Sequence, residues 1–435
     1  MRYAVISGRL TITELQLEVK RCGGKNLKVA NASKQVFCDL DQSAVGKLKA
    51  RGCVVSLIGG TRATVMPPIV TPPIPAAAIP TYSPEDLIWA TGLEDSRHLI
   101  EPPLYGEGFN IAIIGTGIRE THEKIYGRVI YSKNYTTDPM RDGFNHDTGV
   151  ASIITTVAPL CNILNLKVLN NKGEGTEEEL TLAIDDCLVM YDNREVITPL
   201  VLNLSLGAPD NGNPNSPLRI ACRAAIQRGI WIAAAAGNGG PSPSTILSPA
   251  CERYVFAVGS AKYDTPFDVS DFSSRGPTKE GIVKPEALMF GENIIVASSE
   301  SDTATIAKSG TSFSTPFMSA AALLYNEGWL KVRYVGEPFP SMWTGRFPEL
   351  EVLEAPPSID VIIDRYLGQV STKPQGVTLG KDNDYGYGII AGELVAASLG
   401  VVPVTDISTM LSSLMPIFGL GILGAVMTPM IKAMK

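Results

Sequence analysis

The chain has 435 residues, 45% of them hydrophobic and 19% charged, so a large core can form and wholesale disorder is excluded. The net charge of −7 supplies no basic face to neutralise phosphates and argues against a nucleic-acid partner. The seven cysteines, Cys22, Cys38, Cys53, Cys161, Cys187, Cys222 and Cys251, are odd in number and contain no C-x-x-C pair. Neither a disulfide framework nor a zinc site is indicated, and buried reduced thiols are expected.

The apolar run at the start, Tyr3–Ile6, is too short for a signal peptide and is broken by Gly8-Arg9. Residues 3–58 alternate strand-like and helix-like runs. Tyr3–Ile6, Leu27–Ala30, Gln35–Leu40 and Cys53–Ile58 read as strands, and Ile12–Arg21 and Ser43–Arg51 as helices. The order βαββαβ predicts a small α+β, ferredoxin-like domain over 1–60. Residues 61–85 carry Pro67, Pro68, Pro72, Pro73, Pro75, Pro80 and Pro84 and are expected to be an extended linker.

Over 86–402, short apolar runs (Asn110–Ile114, Asn162–Val168, Leu200–Ser205, Trp231–Ala236, Tyr254–Val258) alternate with helical segments such as Glu177–Tyr191 and Ser216–Arg228. This predicts an α/β domain with a parallel sheet and helices on both faces. In the tail, 403–435, no charge occurs from Ile407 to Ile431. The stretch suits either a membrane or assembly contact or a buried helix.

Three segments carry groups suited to acyl transfer. In Gly310-Thr311-Ser312-Phe313-Ser314-Thr315-Pro316 a serine precedes a long Ala-rich helical run, which puts Ser312 at a helix N-terminus with free N–H groups and a favourable dipole. Ala236-Gly237-Asn238-Gly239-Gly240 ends an apolar strand with an amide able to donate to an oxyanion. His146, in Asn145-His146-Asp147-Thr148-Gly149, opens an apolar helical run, where the dipole favours the neutral imidazole that a base requires. A further strand end, Ser205-Leu206-Gly207, could pair its backbone with an extended peptide.

Taken in order, these strings make the chain resemble the subtilisin-like serine peptidases, the subtilases. Phe272-Ser273-Ser274-Arg275-Gly276-Pro277, Lys284-Pro285-Glu286 and Tyr385-Gly386-Tyr387-Gly388 look like family strings too. The resemblance implies Ser312 as nucleophile, His146 as base, Asn238 as oxyanion donor, and Ser205, Leu206 and Gly207 as the segment binding substrate backbone. It also implies a subtilisin-like fold, peptide or protein substrates, calcium as a common companion, and a propeptide role for residues 3–58, docked over the cleft as an intramolecular partner. Asn170–Glu174 and Asp264–Asp271 are polar enough for calcium but show no complete ligand string.

The pattern breaks at the acid. In Ile113-Ile114-Gly115-Thr116-Gly117, Gly115 holds the place of the family aspartate, and Asp147 and Gly149 stand where glycine and a second histidine are usual. Asp142, Asp147 and Glu120 are the nearest carboxylates. Successive side chains on a helix diverge by roughly 100°, so Asp147 is expected to point away from His146, and all three are expected in structural or solvated roles. His122 is expected to pack and His98 to lie at the surface. Two functions compete: an endopeptidase, either slowed by the lost acid or using a relocated one, and an inactive pseudopeptidase that binds or builds while keeping its N-terminal domain.

Overall fold

A computed structural model of the protein describes residues 1–58, 62–65, 80–195, 197–264, 266–333, 373–374, 376–377 and 380–399. Most of the expected linker and the whole tail from residue 400, with any attachment through 407–431, lie outside the described residues. Among the described residues no helix is long and apolar enough to cross a membrane.

The N-terminal elements are β1 (Arg2–Ile6), α1 (Ile12–Arg21), β2 (Lys25–Ala30), β3 (Gln35–Asp39), α2 (Gln42–Ala50) and β4 (Val54–Leu57). The strands form an antiparallel sheet in the order β2-β3-β1-β4. Leu15 and Val19 of α1 and Val45 and Leu48 of α2 bury against Tyr3, Val5, Val36 and Cys38, so the other sheet face is free to dock elsewhere. Both helices begin on side-chain caps, Thr11 with Glu14 in a reciprocal box and Asp41 accepting from the Ala44 N–H, which satisfies donors that no helical carbonyl can reach. Within the stretch expected only as linker, Arg62–Thr64 forms a further strand, β5.

The large unit continues through α3 (Pro84–Ala90), α4 (Leu93–Arg97), β6 (Asn110–Gly115), β7 (Val129–Asn134), α5 (Asp147–Val157), β8 (Asn162–Lys167), β9 (Glu174–Thr176), α6 (Glu177–Asp192), β10 (Val201–Leu204) and β11 (Ala208–Pro209). It is completed by α7 (Pro217–Ile226), β12 (Trp231–Ala235), β13 (Leu247–Ser248), β14 (Phe256–Lys262), β15 (Asp268–Val269), β16 (Ala287–Phe290), β17 (Ile294–Ala297), β18 (Thr305–Lys308), α8 (Thr311–Arg333) and α9 (Ala391–Ser398).

The central sheet runs β15-β14-β12-β10-β6-β8-β7, with β16 also on β14, and every pairing but β14–β15 is parallel. Its inner strands β6, β10 and β12 are buried at every position, as strands covered on both faces must be. From β6 the chain passes to the edge strand β7 and returns through α5 to β8, and the connections through α6 and α7 continue the same way, from β8 to β10 and from β10 to β12. The long α8 packs with α5, and α6 with α7. Chain reversal after parallel strands gathers the segments following β6, β10 and β12 at one edge, where open α/β sheets place their sites.

The N-terminal domain sits on α6 and the start of α7. Glu178 pairs with Arg2 at 2.7 Å and Lys28 at 3.0 Å. Asp185 accepts from Ser33 N at 2.7 Å, Ser33 Oγ at 2.8 Å and Ala32 N at 3.3 Å. Gln35 Nε2 donates to the Pro217 carbonyl at 3.1 Å. Beneath these bonds Ala4, Ala30 and Phe37 pack with Leu182. Burial pushes the Asp185 carboxyl above its ordinary range against the donors of the 31–33 turn. Glu178, although desolvated too, is held below its ordinary range by Arg2 and Lys28.

All seven cysteines are buried, free thiols. Burial pushes several far up, Cys38, Cys161 and Cys251 to about 12, so they pack as small apolar groups. His122 is buried with its ring against Ala304 O at 2.9 Å, a packing role. His98 lies half-exposed beside Glu94 at 3.1 Å.

Candidate active site

The edge of the sheet where β6, β10 and β12 end brings together Ser312, His146 and Asn238, from helices and turns far apart in the chain. His146 is the residue preceding α5, with φ −129° and ψ −61°, outside the helix proper. Its ring lies 5.2 Å from that of Phe313, the residue after Ser312, so His146 and the first turn of α8 are packed on one another. Both Ser312 and His146 are buried, at 3% and 4% exposure.

The Ser312 hydroxyl donates to the Ser205 carbonyl at 3.0 Å. In return, Ser205 Oγ donates to the Ser312 carbonyl at 2.8 Å. That carbonyl is available because its helical partner four residues on is Pro316, which has no N–H to give. A proline inside the helix thus makes an acceptor that ties the Ser312 backbone to the end of β10. Asn203 Nδ2 donates to Ser205 Oγ at 3.0 Å and Ser319 Oγ to Asn203 Oδ1 at 2.9 Å, which extends the tie along α8.

Asn238 is oriented by Thr311, whose N–H and Oγ1 both donate to Oδ1 at 3.0 Å. A backbone N–H can only donate, so it fixes which amide atom is oxygen and leaves Nδ2 to donate elsewhere. Gly310 permits this. A Cβ there would stand 3.2 Å from Asn238 Nδ2, and its φ of +146° disfavours any side chain. The Asn238 amide and the N-terminus of α8 therefore present donors of the kind an oxyanion needs.

The two nitrogens of His146 differ. Nε2 is buried and has no hydrogen-bond partner. Nδ1 lies 2.6 Å from Asp147 Oδ1. This overturns the expectation that Asp147 points away. The 100° divergence holds between two helical residues, whereas His146 has non-helical dihedrals and only Asp147 begins the helix. Asp147 Oδ2 accepts the Thr116 N–H at 2.6 Å, and Thr116 Oγ1 accepts the Asp147 N–H at 3.1 Å, so the carboxylate is locked against the end of β6.

Asp142 has a structural part, as expected. Its Oδ2 accepts the His146 N–H and Thr148 N–H at 2.9 Å and Thr148 Oγ1 at 2.7 Å, and its Oδ1 accepts Thr116 Oγ1 at 2.9 Å. Burial and the neighbouring Asp147 charge push its carboxyl up, against the Thr148 donors. Lys167 is buried below, donating to Thr116 O at 2.5 Å and Arg141 O at 2.9 Å. Burial pushes its pKa down while the Asp142 and Asp147 charges oppose that. Glu120 accepts from Ser132 Oγ and from Asn165 Nδ2 at 2.9 Å and holds strands together. Gly149 is required by packing, since a Cβ there would meet Val296 Cγ2 at 2.7 Å.

Alongside Gly207 lies the chain's own strand β5. Thr64 N donates to Gly207 O at 3.1 Å, Gly207 N to Thr64 O at 3.2 Å, and Val65 N to Gly173 O at 2.9 Å. On its other edge β5 pairs antiparallel with β9, Arg62 opposite Thr176 and Thr64 opposite Glu174. At the Gly207 backbone an extended strand is seated, and that strand is internal. Ala63 and Val65 are buried in it.

At the two polar loops, protein donors already engage several side-chain oxygens. Asn170 Oδ1 accepts the N–H groups of Lys172 and Glu174. Asp268 accepts Tyr385 Oη and the Val269 N–H, and Asp271 pairs with Lys262. Among the described residues no group of three or more His, Cys, Asp or Glu could hold a metal.

The peptidase S8, subtilase family model matches residues 106–335. Similar proteins include serine protease AprX of Bacillus subtilis, 32% identical over 259 residues and covering 51% of this chain and 57% of that protein. Subtilisin-like protease 1 of Trichophyton tonsurans is 31% identical over 230 residues, covering 51% and 42%. Its counterpart in Arthroderma otae is 30% identical over 220 residues, covering 49% and 42%. The chain thus spans about half the length of these relatives.

Proposed function

Because this chain belongs to the subtilase family, a family of serine peptidases, we propose that it is a serine endopeptidase acting through Ser312, His146 and Asn238, and that β5 closes its substrate cleft. The observation that carries the reading is the buried, unpartnered Nε2 of His146 packed over the start of α8. A buried acceptor without a donor is costly, and a proton moving from the neighbouring hydroxyl gives it a use.

Turning Ser312 about its Cα–Cβ bond exchanges the Ser205 carbonyl for that nitrogen. Ser312 Oγ then attacks the scissile carbonyl carbon while its proton passes to Nε2. The carbonyl π pair becomes an oxyanion facing Asn238 Nδ2 and the α8 N-terminus. Collapse of the adduct breaks the C–N bond, and the leaving amine takes the proton from Nε2. A water molecule repeats the sequence on the acyl-enzyme, giving up one proton through His146 and restoring Ser312.

Substrate backbone binds where β5 lies, by the same antiparallel bonds to Gly207 and Gly173, and the docked domain over α6 and α7 keeps β5 at high local concentration. An active-site fluorophosphonate tests the chemistry. Labelling of Ser312 that disappears in Ser312→Ala supports it, and no labelling at high reagent concentration, even once β5 is displaced, refutes it. The seated strand also favours a second reading, in which the chain is a closed binding protein. Spontaneous release of an N-terminal fragment, abolished by Ser312→Ala, rules that reading out.

A further inference from the structure

We infer that Asp147 is the acid of this site, moved from the end of β6 to the first residue of α5, and that Gly115 is glycine because the Asp147 carboxylate fills the space its side chain would need. This rests on the peptidase reading above, which left the non-reacting face of His146 without a role. The placement is direct: a Cβ built at Gly115 would stand 2.1 Å from Asp147 Oδ2, 2.8 Å from Cγ and 2.9 Å from Oδ1. The two positions compete for one volume, so the site holds an acid from one or the other and not from both.

The carboxylate meets what such an acid must do. It bonds His146 Nδ1 at 2.6 Å, it is buried at 2% exposure, and its second oxygen is pinned by the Thr116 N–H at 2.6 Å. Thr116 directly follows Gly115, so the backbone at the end of β6 still steers the acid even though it no longer carries it. The bond to Nδ1 selects the imidazole tautomer with its proton on Nδ1 and a bare Nε2, the form that can accept the serine proton. Asp147 is a positioning residue acting through His146. The site is a complete acid–base–nucleophile set with an altered origin for its acid, and the glycine at 115 is a consequence of that origin.

The test uses the full-length protein and two readouts. With a chromogenic peptide anilide, Asp147→Asn should lower kcat by about 10⁴-fold, as loss of the acid does in triads of this kind, with KM changed less than about threefold. By nitrogen-15 NMR, neutral His146 should carry its proton on Nδ1 in the native chain. In Asp147→Asn, whose amide can donate to Nδ1, the proton should move to Nε2. The double variant Gly115→Asp with Asp147→Gly should recover at least about tenfold over Asp147→Gly alone, because it returns the carboxylate to the same volume.

A native kcat in Asp147→Asn, or an unchanged tautomer, overturns the inference while leaving the peptidase reading standing. A native chain in which Ser312 is not labelled, but whose tautomer shifts in Asp147→Asn, sinks the peptidase reading and upholds the placement of Asp147. Should Asp147→Asn fail to fold, Asp147→Glu and the double variant supply the same comparison.

Discussion

Replacing Thr64 by proline isolates the strand that fills the cleft. Thr64 N is the donor to Gly207 O at 3.1 Å, and proline has no N–H, so the substitution deletes that bond alone and leaves the reciprocal Gly207 N–Thr64 O bond in place. Thr64 is half-buried. In the closed state the Gly207 carbonyl is then desolvated without a donor. In the open state it is hydrated.

Net loss of one backbone bond together with an unsatisfied buried acceptor amounts to about 1–3 kcal/mol, or roughly a 5- to 150-fold shift toward the open cleft at about 1.4 kcal/mol per decade. The docked domain keeps its own contacts through Glu178, Asp185 and Gln35, so opening is local and the chain stays folded. The assay is the second-order rate of fluorophosphonate labelling of full-length protein, followed by intact mass. Thr64→Pro should label faster by about that factor, Thr64→Ala, which keeps the N–H, should stay within about twofold of native, and Ser312→Ala should not label. Equal rates for native and Thr64→Pro would mean that β5 does not control access to Ser312, and the autoinhibited part of the proposal would fall.

Gly115→Ala puts a methyl carbon 2.1 Å from Asp147 Oδ2 and should push the carboxylate off both His146 and Thr116. Each lost charge-assisted bond costs about 1.5–3 kcal/mol, so a lowered thermal midpoint together with strongly reduced labelling is expected, and a native midpoint and labelling rate would contradict the packing. Asp185→Ala removes the acceptor for three donors of the 31–33 turn and should loosen the N-terminal domain by about 1–3 kcal/mol, read as faster limited proteolysis between the two units.

Asn238→Ala should lower the labelling rate by about 10²–10³ while Ser312 remains the labelled residue. Lys284 is fully buried against Glu286 at 2.8 Å and Val255 O at 2.6 Å, and burial pulls its pKa down to about 8. Between that value and its ordinary 10.5 the unfolded chain holds a proton that the folded chain has released. Lys284 by itself therefore contributes a rise in stability with pH through this window, by about 3 kcal/mol at most, against the buried thiols, whose raised pKa values make stability fall over the same range. In denaturant titrations taken at pH 8 and pH 10, stability should fall more steeply with pH in Lys284→Met than in the native chain, and equal slopes would contradict the shift.

The architecture, and the strings that carry the candidate site, were legible in one dimension. Alternating short apolar runs and helical patterns specify a covered parallel sheet, and Ser312, Asn238 and His146 stand in strings whose local structure, a helix start or a strand end, is set by neighbours within a few residues. Even the anomaly at the acid was visible as a pair, a glycine where an aspartate is usual and an aspartate where a glycine is usual. What the letters could not show is that the two positions share one volume, a Cβ at Gly115 standing 2.1 Å from Asp147 Oδ2. Helical periodicity assigns Asp147 a direction 100° from His146, and only the non-helical dihedrals of His146, imposed where Asp142 accepts the N–H groups of His146 and Thr148, turn the adjacent side chains to face each other. β5 was hidden for a related reason. Three residues in a proline-rich stretch have no periodicity of their own, and their strand exists because backbone groups at Gly173 and Gly207, more than a hundred residues away, complete its hydrogen bonds. Local signals decide which elements form, but contacts between distant segments decide which atoms face the cleft.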